Sequence, residues 1–208
     1  YLSNFSPTIV ANMTSILHYN EDGVAKTNWD YGDGDVIRVN NRFRYNSGTI
    51  GGNQGDYILP VINIVLPTSL YPTTIDGKAV TKDGDNIVSW KLYDKDGNEL
   101  INEQNKYNTK VKVLNIQKEN STETEKKYLV QIYAKDSVLG NENAEARIKY
   151  NDEYIFSVNA ISYDSTQVEE ANGKEFLSPI SVFATSKMDG FKFVTDDDVI
   201  DLMNKRKE

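Results

Sequence analysis

Apolar and polar residues alternate with a period of two along most of this chain. Ile37, Val39, Phe43 and Tyr45 share one phase, and Arg38, Asn40, Arg42 and Arg44 take the other. Val88, Trp90 and Leu92 alternate with Ser89 and Lys91, and Tyr128, Val130, Ile132 and Ala134 with Gln131 and Lys135. Tyr154, Phe156, Val158 and Ala160 alternate with Ser157 and Asn159, and Ile180, Val182 and Ala184 with Ser181 and Thr185. Successive side chains of a strand point to opposite faces, so the pattern predicts one wet and one buried face per strand. Antiparallel sheets packed face to face are the expected architecture. Val61 to Leu66 is apolar on both phases apart from Asn63, which predicts a central strand. Pro60 and Pro67 are expected to bracket it, because proline cannot donate to a ladder. No 3.6-residue period runs through the body of the chain, which argues against parallel α/β folds.

Turn chemistry separates these runs. Asp-Gly occurs at Asp22-Gly23, Asp33-Gly34, Asp76-Gly77, Asp83-Gly84, Asp96-Gly97 and Asp189-Gly190, and Asn172-Gly173 adds a further pair. Such pairs tolerate the positive φ of tight reversals, so each predicts one. Ile101 to Thr109 is polar and without alternation, and a domain boundary is placed there. Lys118 to Lys127 reads as a long hairpin loop. Thr195 can cap a short C-terminal helix, with Asp196 to Asp198 in its first turn and Lys205 to Lys207 in its last. Val199, Ile200 and Met203 would form its apolar stripe. The expected fold is all-β: two antiparallel β-sandwich domains in tandem, residues 1–105 and 106–190, followed by a tail, 191–208, with that helix.

The length of 208 residues suits two domains of about 100. Thirteen Tyr and seven Phe make up for a hydrophobic content of only 38%. Thirty-one acidic against 23 basic residues give a net charge of −8, which opposes contact with nucleic acid or an anionic membrane. No apolar run reaches the length that crosses a bilayer as a helix. The chain opens at Tyr1 without Met or a leader, which fits a removed signal segment or a piece of a longer protein. The absence of cysteine excludes disulfides, thiolate metal sites and cysteine nucleophiles. Abundant Asn, Lys, Ile and Asp fit an AT-rich genome and, with the missing cysteine, the surface of a Gram-positive bacterium.

Residues 152–162 (DEYIFSVNAIS), a polar loop containing Gly173 and residues 177–186 (LSPISVFATS) resemble the last strands of a fibronectin type III or related immunoglobulin-like domain. Residues 126–136 (KKYLVQIYAKD) resemble an earlier strand of that family. The Trp such domains carry in their second strand is missing, since both Trp29 and Trp90 lie in the first half. Residues 32–46 (GDGDVIRVNNRFRYN) followed by 61–70 (VINIVLPTSL) resemble the repeat domains of bacterial surface adhesins. The resemblance implies a stalk or adhesion module on a cell wall, with a protein or glycan as its ligand. A carbohydrate-binding or accessory module of a secreted enzyme, or a phage tail or virion component, is the alternative reading.

Catalytic chemistry finds few candidates. His18 is the only histidine, and no Gly-x-Ser-x-Gly elbow accompanies it, so a surface or packing role is expected. Two carboxylates suffice to cleave a glycoside, but with 31 acids some pair always has the spacing. The chain is therefore read as no enzyme, with neither cofactor nor metal assigned. Asp30, Asp33 and Asp35 cluster on a Gly-bearing loop, where a calcium site is the alternative to turn formation. Asp94, Asp96 and Asn98 open like an EF-hand loop, but Glu99 and Asn105 stand where that loop needs Gly and Glu, so a hairpin turn is expected. A Lys–Asn isopeptide bond, found in adhesins of this kind, needs an inward Lys; Lys110, Lys112 and Lys149 read as outward. Arg38, Arg42 and Arg44 form a basic stripe expected to pair with carboxylates across strands, an anionic glycan being the alternative. Tyr71, Tyr107 and Tyr163 could stack on sugar rings if exposed. Asn4, Asn12 and Asn120 start glycosylation sequons at the frequency chance predicts.

Overall fold

The computed structural model describes residues 9–19, 22, 24, 36–45, 57–66, 70–117, 120–135, 148–149, 152–162, 175–176 and 180–184. In chain order the strands are β1 (Ile9–Tyr19), β2 (Val36–Tyr45), β3 (Tyr57–Val65), β4 (Leu70–Pro72), β5 (Gly84–Asp85) and β6 (Trp90–Asp94). A four-residue helix, α1 (Ile101–Gln104), precedes β7 (Tyr107–Gln117), β8 (Thr124–Ala134), β9 (Ile148–Lys149), β10 (Glu153–Ser162), β11 (Glu175–Phe176) and β12 (Ile180–Ala184). All pairing among them is antiparallel. The first sheet runs β11-β1-β2-β10-β4, with β6 also on β10, and the second runs β12-β3-β8-β7-β5, with β9 on β3. The described chain is all-β, as the alternation predicts.

The inner phases meet in one core. Ile37, Val39, Phe43, Leu92, Phe156 and Val158 of the first sheet cluster with Ile62, Ile64, Val111, Val130 and Ile132 of the second. β2, β3, β8 and β10 contribute alternate residues to it, so the two inner faces meet as in a sandwich. Trp90 stacks on Phe156 with ring centroids 6.2 Å apart, and Tyr107 meets both rings edge-on. Tyr107 is buried, so it offers no face to a sugar; Tyr71 is half-buried with its ring edge against Tyr128.

The pairing crosses the division expected at residue 105. In the first sheet β2 pairs with β10, and in the second β3 pairs with β8 and β12. Strands from both sides of that point alternate in both sheets and share the core, so the described residues do not separate into units 1–105 and 106–190. The polar run Ile101–Thr109 is the crossover from the first sheet to the second, forming α1 and the start of β7. Its polarity reflects a surface path between two sheets, which looks in sequence like a surface path between two domains.

Two outward assignments are reversed. Gln131 and Ser157 are 0% and 1% exposed, although both lie on the phase opposite the shared core. Ser157 stands on the outer phase of β10 in the first sheet, whereas Gln131 shares the outer face of the second sheet with a second buried apolar cluster, Val65, Leu114, Ile116 and Leu129. Polar residues on a second buried face mimic, in sequence, a solvated one. Asn41 is likewise buried, on the inner phase between Val39 and Phe43.

Proline also sits differently from expectation. β3 begins at Tyr57, so Pro60 lies inside the strand, opposite Val182 of β12. On the other side, β8 pairs from Val61 onward and β9 pairs only as far as Ile58. On that side Pro60 thus falls in the gap between the stretches paired with β9 and with β8, the kind of position where a proline is tolerated. The run is central all the same, with β8 and β12 on its two sides and every residue from Ile62 to Leu66 buried.

The loops are mixed in outcome. Gly77 and Gly97 have φ of +80° and +85°, as turns at Asp76-Gly77 and Asp96-Gly97 require. Asp83-Gly84 makes no such reversal, because Gly84 already pairs with Val111 in β5 and Asn86 takes the positive φ instead. The connection between β7 and β8 is shorter than expected: β7 runs to Gln117, β8 starts at Thr124, and 124–127 belong to that strand. The expected C-terminal helix, Asp30, Asp33, Asp35, Asn4 and Tyr163 lie outside the described residues.

Candidate functional site

Where β6 ends, the chain must reverse, and the sequence Asp94-Lys95-Asp96-Gly97-Asn98 supplies the means. Asp94 Oδ1 accepts hydrogen bonds from the backbone N–H of Asp96 and of Asn98, both at 2.9 Å, and Oδ2 accepts from the Asn98 side-chain amide at 3.0 Å. The Asp94 N–H donates to the Asn98 carbonyl, and the Gly97 N–H to that of Asp94. The Asp94 carboxylate is thereby committed to its own turn, as the hairpin reading predicts.

This turn forms one wall of an open hollow of about 360 Å³. Asp94, Asp96, Glu103, Asp152 and Glu153 line it, together with Lys95, Leu100 and Tyr154. Three segments meet there: the Asp94 turn, the stretch from Leu100 into α1, and residues 152–154 at the start of β10. Antiparallel pairing of Tyr154 with Asp94 brings the acids of β10 beside those of the turn. Sequence reasoning missed this cluster, since Asp94 and Asp152 are far apart in the chain and only the β6–β10 register joins them.

Several of these acids have internal partners. Glu103 holds Lys106 through both oxygens at 3.0 and 3.1 Å, and Glu153 accepts from Arg42 Nη1 at 2.9 Å. The Arg42 contact realises the cross-strand pairing expected of the basic stripe, and it lies on the outer face of the first sheet. Asp152 lies close enough to the Tyr154 hydroxyl for its charge to act on it.

The titration behaviour follows from these contacts. The Asp94 carboxyl is held below its ordinary range, first by the Asn98 backbone N–H and then by the Asn98 side chain. Burial pushes the Tyr154 hydroxyl up to about 12, with the Asp152 and Glu103 charges acting in the same direction. Burial raises Tyr107 as well, reinforced by Tyr154 and Glu103. A general acid of a glycosidase requires a carboxyl shifted upward, and Asp94 is shifted the other way. Electrostatically the hollow favours a cation or a basic side chain. No group of three or more acids or His with metal-holding geometry occurs among the described residues.

The other candidates are dispersed. His18 lies in β1 at the register position opposite Ile37, away from the acidic hollow in sheet order. Lys110 and Lys112 lie on β7 opposite Gln131 and Leu129, on the face away from the shared core. Asn120 sits at the β7–β8 turn with φ of 56°, while Asn12 is within β1. No helix among the described residues is long and apolar enough to cross a membrane.

Fold and site together define a class: an all-β protein of two antiparallel sheets around a filled core, with an acid-lined hollow at one edge. Beyond that class, no protein-family model, curated protein or solved structure matches the chain.

Proposed function

We propose that this chain is a non-catalytic, immunoglobulin-like structural or adhesive module of a bacterial cell-surface protein. The observation that carries the reading is how the space between the sheets is used. Large side chains from both sheets fill it, among them Phe43, Phe156, Ile62, Ile64 and Leu92, all below 2% exposed. Chemistry is left to the rim, where the acidic hollow is open and Asp94, Glu103, Glu153 and Asp152 are engaged with neighbours. A filled two-sheet body presenting loops and edges suits mechanical or recognition duty, whereas catalysis needs a cleft that holds a substrate. The acidic composition, the absence of cysteine and the resemblance to adhesin repeats and fibronectin type III strands support placement at a cell wall.

A glycan and host-protein array tests the ligand, with a polysaccharide-hydrolysis assay beside it. Saturable binding without release of reducing sugar is the expected result. Release of reducing sugar that vanishes when Asp152 and Glu153 are changed to Asn and Gln would overturn the reading in favour of a hydrolase. Binding confined to one polysaccharide would favour the carbohydrate-binding alternative.

A further inference from the structure

The outer face of the second sheet is covered, although none of the described elements lies on it. Leu114 and Ile116 of β7, Leu129 and Gln131 of β8, and Asn63 and Val65 of β3 share that face. All six are at most 3% exposed. Even the Lys127 and Glu125 side chains, on the same phase of β8, are only 13% and 20% exposed. Every described strand belongs to one of the two sheets, and α1 lies against β6. The structure holds this one chain, so the cover belongs to it.

One stretch outside the described residues has the pattern such a face asks for. In residues 195–207, Asp196, Val199, Ile200, Met203 and Lys207 recur at helical spacing, which sets an apolar stripe between an acidic and a basic end. Stretches 46–56, 136–147 and 163–174 are mostly Gly, Asn, Asp, Glu, Ser and Thr and carry no such stripe. The dimensions agree. Residues 195–207 as a helix are about 20 Å long, and β7 from Lys110 to Ile116 also covers about 20 Å. β12 ends at Ala184, opposite Ile58, beyond the Lys110 end of the face. Residues 185–194 can then span up to about 33 Å, whereas the strand spacings from β12 to β7 total about 14 Å. A segment entering from that end brings its acids towards Lys110 and Lys112 and its bases towards Glu125, the register partner of Ile116.

We propose that residues 195–207 form an amphipathic helix that lies on the outer face of the second sheet, with its apolar stripe on Leu114, Leu129 and Val65 and its start beside Lys110. A sheet face this apolar must be buried against another element. The helix supplies that element and gives the two-sheet body a third layer, beneath which the Asn63 and Gln131 amides are enclosed.

NOE spectroscopy of the methyl-labelled protein tests this. Cross-peaks should join the methyl groups of Leu129 or Leu114 to those of Ile200 or Met203. Cross-peaks from the cluster to a different stretch of the chain, or to none outside the two sheets, overturn the proposal. So do cross-peaks to Ile200 that arise only between differently labelled copies in a mixed sample. Ile200→Asp in the full chain should abolish the contacts and shift the Leu129 and Leu114 methyl resonances, while those of Ile62 and Val158 stay in place. Unchanged Leu129 and Leu114 resonances in that variant would equally overturn it. If the variant does not fold, the wild-type cross-peaks decide alone.

Discussion

Gln131 Nε2 donates to Asn63 Oδ1 at 2.8 Å across β3 and β8, and both side chains are fully buried. The two residues are register partners on the outer face of the second sheet. Their amides stand on the same face as the apolar cluster of Val65, Leu114, Ile116 and Leu129. That bond engages two of the pair's four polar atoms, and Asn63 Nδ2 and Gln131 Oε1 have no hydrogen-bond partner in the structure.

Breaking this pair from one side should therefore cost more than replacing it whole. Asn63→Leu or Gln131→Met alone leaves a buried amide orphaned and is expected to destabilise the fold by about 1–3 kcal/mol. The double variant removes both polar groups and should recover most of that loss. Urea unfolding of the four proteins in the cycle measures the coupling; additive losses would show that the pair does not act as a unit.

Gly77→Ala and Gly97→Ala should each destabilise by roughly 1–2 kcal/mol, because a Cβ is strained at positive φ. Nothing lies within 4 Å of the added atom at either site, so the backbone alone bears the effect. Gly84→Ala is the contrast. Its Cβ would come within 2.6 Å of Ile87 Cδ1, the far end of a 41%-exposed side chain that can swing away. Thermal melts of the three variants should show the turn glycines as the sensitive ones.

Tyrosine ionisation should destabilise the protein at alkaline pH. The hydroxyl of Tyr154 titrates at about 12 in the fold against 10.0 for the free group, and Tyr107 is raised as well. A raised folded pKa means that the unfolded chain ionises first. The contribution is fully present below about pH 10 and falls as pH rises from there toward about 12. Tyr154→Phe should flatten part of this loss, measured by denaturant midpoints at a series of alkaline pH values. An unchanged slope in the variant would remove Tyr154 as its source.

At the acid end the sign reverses for Asp94. Its depressed pKa means that its stabilisation is present above the ordinary carboxyl value and disappears as pH falls through the folded one. Asp94→Ala should weaken the turn at neutral pH and lose this acid dependence. Amide exchange at Asp96 and Asn98 reads the effect directly, since both N–H groups donate to Asp94.

Nicking the β7–β8 turn within residues 120–123, or the crossover after α1, should not liberate independent halves. Both sheets contain strands from either side of each cut, with β2 on β10 and β3 on β12. The fragments should co-elute under native conditions and part only in denaturant. Separation into two folded pieces of about 100 residues would instead restore the tandem arrangement expected from the polar run.

Much of the shared core was legible from local pattern. Ile37, Val39, Phe43, Leu92, Val130, Ile132, Phe156 and Val158 all occupy the buried phase that their alternation assigns them. The Asp94 turn was legible for the same reason, since its hydrogen bonds close within five residues. Asn86 and Asp83 were not, although each closes the edge of β7: Thr109 N–H donates to Asn86 Oδ1, and Val113 N–H to Asp83 Oδ1. Both partners lie more than twenty residues along the chain.

Local sequence pattern carried the class of secondary structure, the inner phase of β2, β6, β8 and β10, and most of the places where the described chain turns. These depend on backbone geometry and burial over a few residues, and a period of two records both. Which strands became neighbours was settled by packing across the whole molecule. The β2–β10 ladder interleaves the two halves, and the β6–β10 register gathers Asp94, Asp152 and Glu153 at one hollow. That packing also decided that Gln131 is buried, because a face carrying a second apolar cluster can have the same polar spelling as a wet one. Pairing is chosen by the packing of whole faces against one another, and alternation along a single strand carries no label for the strand it will meet.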